Sequence, residues 1–128
     1  MESAKKQAIH QYCDAVGRGD VEQIRSLVTE DYTHTFLGST NFAGTRTLPE
    51  LIAVLESFSA ALASPGTFTF HEMAEEGDLV IAIFSGKCEL ANGNRFDGDY
   101  GAAFRFRGDK ILSLRELVDT KLADSAFG

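Results

Sequence analysis

The chain has 128 residues, 44% hydrophobic and 24% charged, the composition of a globular domain with a substantial core. A net charge of −7 with scattered Lys and Arg excludes the clustered basic surface that nucleic acid rewards. No run of about 18 apolar residues is present and the N-terminal MESAKKQAIHQY lacks an apolar signal core, so a cytoplasmic protein without membrane contact is expected.

The first half reads as helices. Residues 3 to 17 carry Ala8, Ile9, Tyr12, Cys13 and Val16 at helical spacing, stopped by Gly17 and Gly19. Asp20 with Gln23 forms a capping box for a short second helix striped by Val21, Ile24, Leu27 and Val28. Thr47 with Glu50 opens a third, Pro49 lies in its first turn, and SPG at 64 to 66 ends it. Between the second and third helices, DYTHTF at 31 to 36 predicts a short strand at one edge of a sheet.

From residue 68 the period changes to two. FTFHEMA, LVIAIFSGKCEL, RFDGDYGAAFRF and the stretch 110 to 119 predict four strands of an antiparallel meander, with Asn92-Gly93 at one turn. Leu79 to Phe84 is apolar at every position, so both faces of that strand need cover. Helices supply one cover; a homodimer packed through the sheet supplies the other. The expected fold class is therefore α+β, with three N-terminal helices packed on a strongly curved, mainly antiparallel sheet.

Order and spacing of these pieces resemble one superfamily. Tyr12 with GRGD (17 to 20), DYTHTF, FAG (42 to 44), GDLVI (77 to 81), GNRFDGDYGAAFRFRGDKI (93 to 111) and RELVD (115 to 119) carry the likeness over nearly the whole chain. The sequence resembles the SnoaL-like branch of the superfamily that includes ketosteroid isomerase and nuclear transport factor 2. The resemblance implies a single domain over residues 1–128, shaped as a cone around a mostly apolar pocket. It also implies a small-molecule ligand and a cofactor-independent isomerase, cyclase or hydrolase-type enzyme acting on an apolar or aromatic carbonyl compound. A non-catalytic binding or interaction module on the same fold is the alternative.

Tyr12, Phe58, Phe70, Phe84, Phe104 and Phe106 are the expected wall of that pocket, although such rings serve equally as plain core. Related enzymes often end the last strand on an aspartate that acts as a base or activates water, and Asp119 occupies that place. It also directly precedes TKLADSAF, a helical pattern, so an N-cap is the competing reading. Strand parity puts Leu112, Leu114, Glu116 and Val118 on the more apolar face and Asp119 on the other, unless a bulge shifts the phase. Glu116 is therefore the second acid, with an ion pair to Arg105 or Arg107 as its structural alternative. Tyr32 and His34 share one strand face and complete an expected acid–base set with Asp119, against the alternative of a half-exposed His34 without a task.

Departures narrow the chemistry. Lys87-Cys88-Glu89 stands where the epoxide hydrolases of the superfamily need Arg-x-Asp, and the ketosteroid isomerase roles find no position-by-position match. Cys13 reads as a small core residue. The three histidines lack metal-ligand spacing and no phosphate-binding loop occurs, so no metal or cofactor is expected.

Overall fold

Asp20 and Thr47 begin the second and third helices as expected from sequence, while the third ends at Ala61, before the SPG expected to stop it. The computed structural model describes residues 2–127, with side chains described through residue 123. Helix α1 spans Ala4–Arg18, begun by the Ser3 hydroxyl accepting from the Lys6 N–H at 3.2 Å and ended by Gly19 at φ 70°. It runs through Gly17 because a close approach there needs glycine: the Gly66 N–H donates to the Gly17 carbonyl at 2.9 Å, and a Cβ on Gly17 would lie 2.2 Å from the Gly66 oxygen. Helix α2 (Val21–Leu27) is capped by Asp20, which accepts from the Gln23 N–H at 3.1 Å. Helix α3 (Leu48–Ala61) begins where the Glu50 carboxylate accepts from both the N–H and the hydroxyl of Thr47. No helix among the described residues is long and apolar enough to cross a membrane.

Six strands form one sheet: β1 (Val28–Phe36), β2 (Gly44–Thr47), β3 (Thr67–Glu76), β4 (Leu79–Lys87), β5 (Gly98–Arg107) and β6 (Lys110–Val118), in the order β2-β1-β6-β5-β4-β3. The meander β3 to β6 is as expected. The segment 31 to 36 is not at an edge: β1 starts earlier, at Val28, pairs in parallel with β6, and has β2 as its outer neighbour. Four residues of β2 were overlooked because GTRT has no hydrophobic alternation. The β4–β5 hairpin does turn at Asn92-Gly93, with Gly93 at φ 90° and the Leu90 N–H donating to the Asn94 carbonyl, but β4 ends at Lys87 and β5 starts at Gly98.

Three register shifts bend the sheet around the helices, one between Phe70 and Glu72, a second between Arg105 and Phe106, and a third between Val28 and Thr33. At the second, Ser113 pairs with Arg105 and Ile111 with Phe106, so Leu112 is the extra residue. Arg107 then reaches Asp31 on β1 with both terminal nitrogens, at 3.1 and 2.8 Å. These bonds hold the Asp31 carboxyl down to about 2, so the link survives mild acid and is lost only as pH falls through that value. Inside the curve, Ile9, Tyr12 and Ala15 of α1, Ile24 of α2, Tyr32, Val80, Phe84, Phe104, Ile111 and Leu114 form the main core. The architecture is the α+β fold that the sequence predicts.

Candidate functional site

Between the helices and the concave sheet lies a cavity of about 330 Å³. Helix α1 contributes Tyr12, Cys13 and Val16, and α3 contributes Leu51, Leu55, Ser57 and Phe58. The strands bring His34, Phe36, Phe84, Tyr100, Phe104, Leu114, Glu116 and Val118, while Phe42 and Phe96 reach in from loops. Space for the rings comes from Gly86, where a Cβ would meet Phe68 at 2.9 Å and Tyr100 at 3.1 Å. Tyr100 stacks on Phe84 with centroids 5.0 Å apart.

The phase of β6 decides which acid enters. The bulge at Leu112 lies upstream, so from Ser113 onward plain alternation resumes: Leu114, Glu116 and Val118 face the cavity, while Arg115 and Leu117 face outward. Asp119 falls on the outer side. It is exposed, does not line the cavity, and its carboxylate accepts from the Leu122 N–H at 3.1 Å, capping α4 (Thr120–Phe127). The structure therefore does not join Asp119 to Tyr32 and His34. As a cap and nothing more, Asp119→Ala is expected to cost about 1 kcal/mol in urea unfolding while Asp119→Asn stays within a few tenths. Neither change should weaken ligand binding to the cavity.

Glu116 is instead met by His34. Parallel pairing sets His34 beside Leu114, so Glu116 is its diagonal neighbour on the same face. The imidazole Nε2 lies 2.9 Å from the carboxylate, with His34 3% and Glu116 12% exposed. Among the described residues, no other side chain or backbone N–H bonds that carboxylate. Arg105 and Arg107, its expected ion-pair partners, hold Asp78 and Asp31 instead. Among the described residues His34 Nδ1 is buried without a partner. A proton there would be an orphaned N–H, so the hydrogen-bond geometry selects the tautomer in which Nε2–H donates to a Glu116 carboxylate. His34 is thus a positioning group, and the unpaired lone pairs of Glu116 are what the cavity receives.

Tyr32 stands one layer behind. Its hydroxyl and that of Tyr12 are 2.8 Å apart, both rings are buried, and only Tyr12 lines the cavity. Burial pushes both phenols well above their ordinary acidity range and the Glu116 charge adds a little to each; the shared hydrogen bond raises Tyr32 further but pulls Tyr12 the other way, and both keep their protons. Two O–H groups share one hydrogen bond, which leaves one proton over. Both are satisfied when Tyr32 donates to Tyr12 and Tyr12 donates into the cavity.

Of the remaining expected wall, Phe58, Phe84 and Phe104 line the cavity. Phe70 and Phe106 do not: Phe70 stacks on Phe84 from behind and meets His10, and Phe106 is buried core below Lys5. Sequence reasoning missed Tyr100 as a lining group, although it stands in the inward stripe of β5. Burial raises its phenol too, with Glu116 as the next cause. Phe96 stood in the same apolar stripe as Tyr100 but was not assigned to the wall, and Phe42 and Ser57 carried no usable signal. Among the described residues no three His, Cys, Asp or Glu side chains gather as metal ligands do.

Comparison with known proteins places this geometry. An NTF2-like protein of unknown function from Burkholderia pseudomallei superposes with a TM-score of 0.82 at 17% identity, over 98% of each chain. An NTF2-like protein from Burkholderia xenovorans gives 0.74 at 23%, covering 98% of this chain and 96% of its own. TerC, co-crystallised with polyporic acid, gives 0.80 at 19%, covering 97% and 98%. At these identities the likeness is one of fold. No curated protein matches the sequence. The model of the SnoaL-like domain matches residues 9–114, and the chain belongs to that family.

Proposed function

We propose that this single SnoaL-like domain is a cofactor-independent acid–base enzyme of isomerase, cyclase or hydrolase type, acting in the cytoplasm on a small apolar or aromatic carbonyl compound. The observation that carries the reading is the His34–Glu116 pair, 2.9 Å apart, on the wall of an otherwise apolar cavity. A carboxylate in such a setting is held ready to accept a proton, since a substrate that fills the cavity displaces the water that would solvate it. The free Glu116 oxygen takes a proton from the carbon next to the carbonyl, and the C–H electron pair moves into the enolate. The spare Tyr12 proton supports the developing oxygen charge, and Tyr32 strengthens that donation from behind. Glu116 then returns the proton to the same or a conjugated carbon, which regenerates the site. The fold neighbour that binds polyporic acid supports a small organic ligand.

The test uses 2-tetralone and 1-indanone in deuterated buffer, followed by proton NMR at the carbon next to the carbonyl. Deuterium uptake faster than in buffer alone is the expected result. Binding of either ketone without faster exchange would replace the enzyme reading by that of a ligand-binding module.

The convex face of the sheet supports a homodimer. Ile81, Ile83 and Leu117 are 45%, 46% and 54% exposed. Register makes them one patch, with Ile83 opposite Gly101, Gly101 opposite Leu117, and Ile81 opposite Ala103. Glu72 and Glu76 border the patch on β3, Arg115 on β6. A two-fold axis along the strands lays each copy's acidic margin on the other's basic one. Wild-type protein is expected to sediment as a dimer at micromolar concentration, and Ile83→Asp, which buries two carboxylates per interface, as a folded monomer. A wild-type monomer at about 50 μM would rule the interface out.

A further inference from the structure

The charge of the cavity says more about its occupant than its shape does. Among the described lining residues Glu116 is the only carboxylate, and no Lys or Arg lines the wall. Among the described residues its one hydrogen bond is to a histidine whose other nitrogen is buried without a partner. The nearest cation, Arg46 beside His34 on β2, is turned away over the Phe36 ring at 5.6 Å with its Nη1 donating to the Phe42 carbonyl, so the described lining offers an entering anion no positive side chain. The same cavity wall carries aromatic rings: Phe36, which is Glu116's partner on β1, and Phe58, Phe84, Tyr100 and Phe104. Ring faces carry negative potential and attract cations, most strongly where water is excluded. The chain as a whole, at −7, draws positive ligands toward it.

We infer that the cavity selects by charge: its preferred occupant is a hydrophobic ammonium compound, whose cation pairs with Glu116 while its apolar body lies among the rings. This rests on the same Glu116 carboxylate as the proposed reaction but not on turnover. A simple amine bound there occupies the base and blocks it. An aromatic amine that also bears a carbonyl would place its cation on Glu116 and its oxygen near Tyr12, so the site would hold it as a ligand before acting on it.

Three molecules of one skeleton test this by calorimetry at neutral pH: 2-naphthylmethylammonium, 2-naphthylmethanol and 2-naphthoate. The ammonium is expected to bind at least about tenfold more tightly than the alcohol, and the carboxylate to show no binding at millimolar concentration. Glu116→Gln, nearly isosteric, should abolish the ammonium preference while the alcohol's affinity changes less than about threefold; the alcohol thereby reports that the variant is folded. The inference is overturned if the alcohol binds as tightly as the ammonium, if the preference survives Glu116→Gln, or if none of the three binds the wild-type protein. Absence of deuterium exchange in the ketones, with the ammonium preference intact, would remove the enzymatic reading and leave this one standing.

Discussion

Glu116→Gln is expected to reduce catalysed deuterium exchange in a bound ketone by about 10²- to 10⁴-fold, the usual contribution of a positioned general base. The amide keeps the size of the acid and can still accept from His34 Nε2, so the 2.9 Å contact and the packing at this point persist. What disappears is a group that can carry the abstracted proton between two carbons. Ketone affinity should change little, so the loss appears in kcat and not in KM. His34→Ala tests the positioning role separately. It leaves the carboxylate in the cavity without its donor, and a smaller fall in kcat is expected, with some recovery in His34→Gln, whose amide can again donate. Unchanged exchange in Glu116→Gln would remove this residue from the chemistry.

Phe104→Ala should give the largest loss of stability among single changes to the cavity wall, about 3–5 kcal/mol by urea unfolding. Phe104 is 0% exposed and meets Tyr12 edge-on at 6.3 Å, so its ring is wall and core at once. With domains of this size holding about 5–15 kcal/mol in all, that loss approaches global unfolding. Truncation also opens the space behind Tyr12, so any variant molecules that remain folded should bind 2-naphthylmethanol more weakly. Phe36→Ala provides the contrast. Phe36 lines the same cavity but is only half-buried, and its loss should cost markedly less. Equal losses for the two would show that the cavity wall and the core are separate layers.

The candidate site was half legible beforehand. Period two placed Tyr32 and His34 on one strand face, and the even phase of 110 to 119 put Glu116 toward the apolar side. Asp119 was drawn into the site by the family likeness, whereas the same parity argument had already set it on the opposite face. The helix pattern after it was the better guide. Phe70 and Phe106 look identical to Phe84 and Phe104 in the alternation, and only the curvature of the sheet separates rings that meet the cavity from rings behind it.

Helix caps, strand periods and turns depend on neighbours within about four residues, and for that reason Asp20, Thr47, Asn92-Gly93 and the inward stripe of β5 were readable directly from the chain. The meeting of His34 with Glu116 is of another kind. It requires β1 to lie parallel to β6, 82 positions away, in the register that sets His34 beside Leu114. No local preference encodes that pairing. It follows from burying both strands' apolar faces under the same helices, with a bulge at Leu112 that takes up one residue before the site begins. Tyr12 and Tyr32 share a hydrogen bond for the same reason: a helix and a strand with separate local signals are pressed together by a common core.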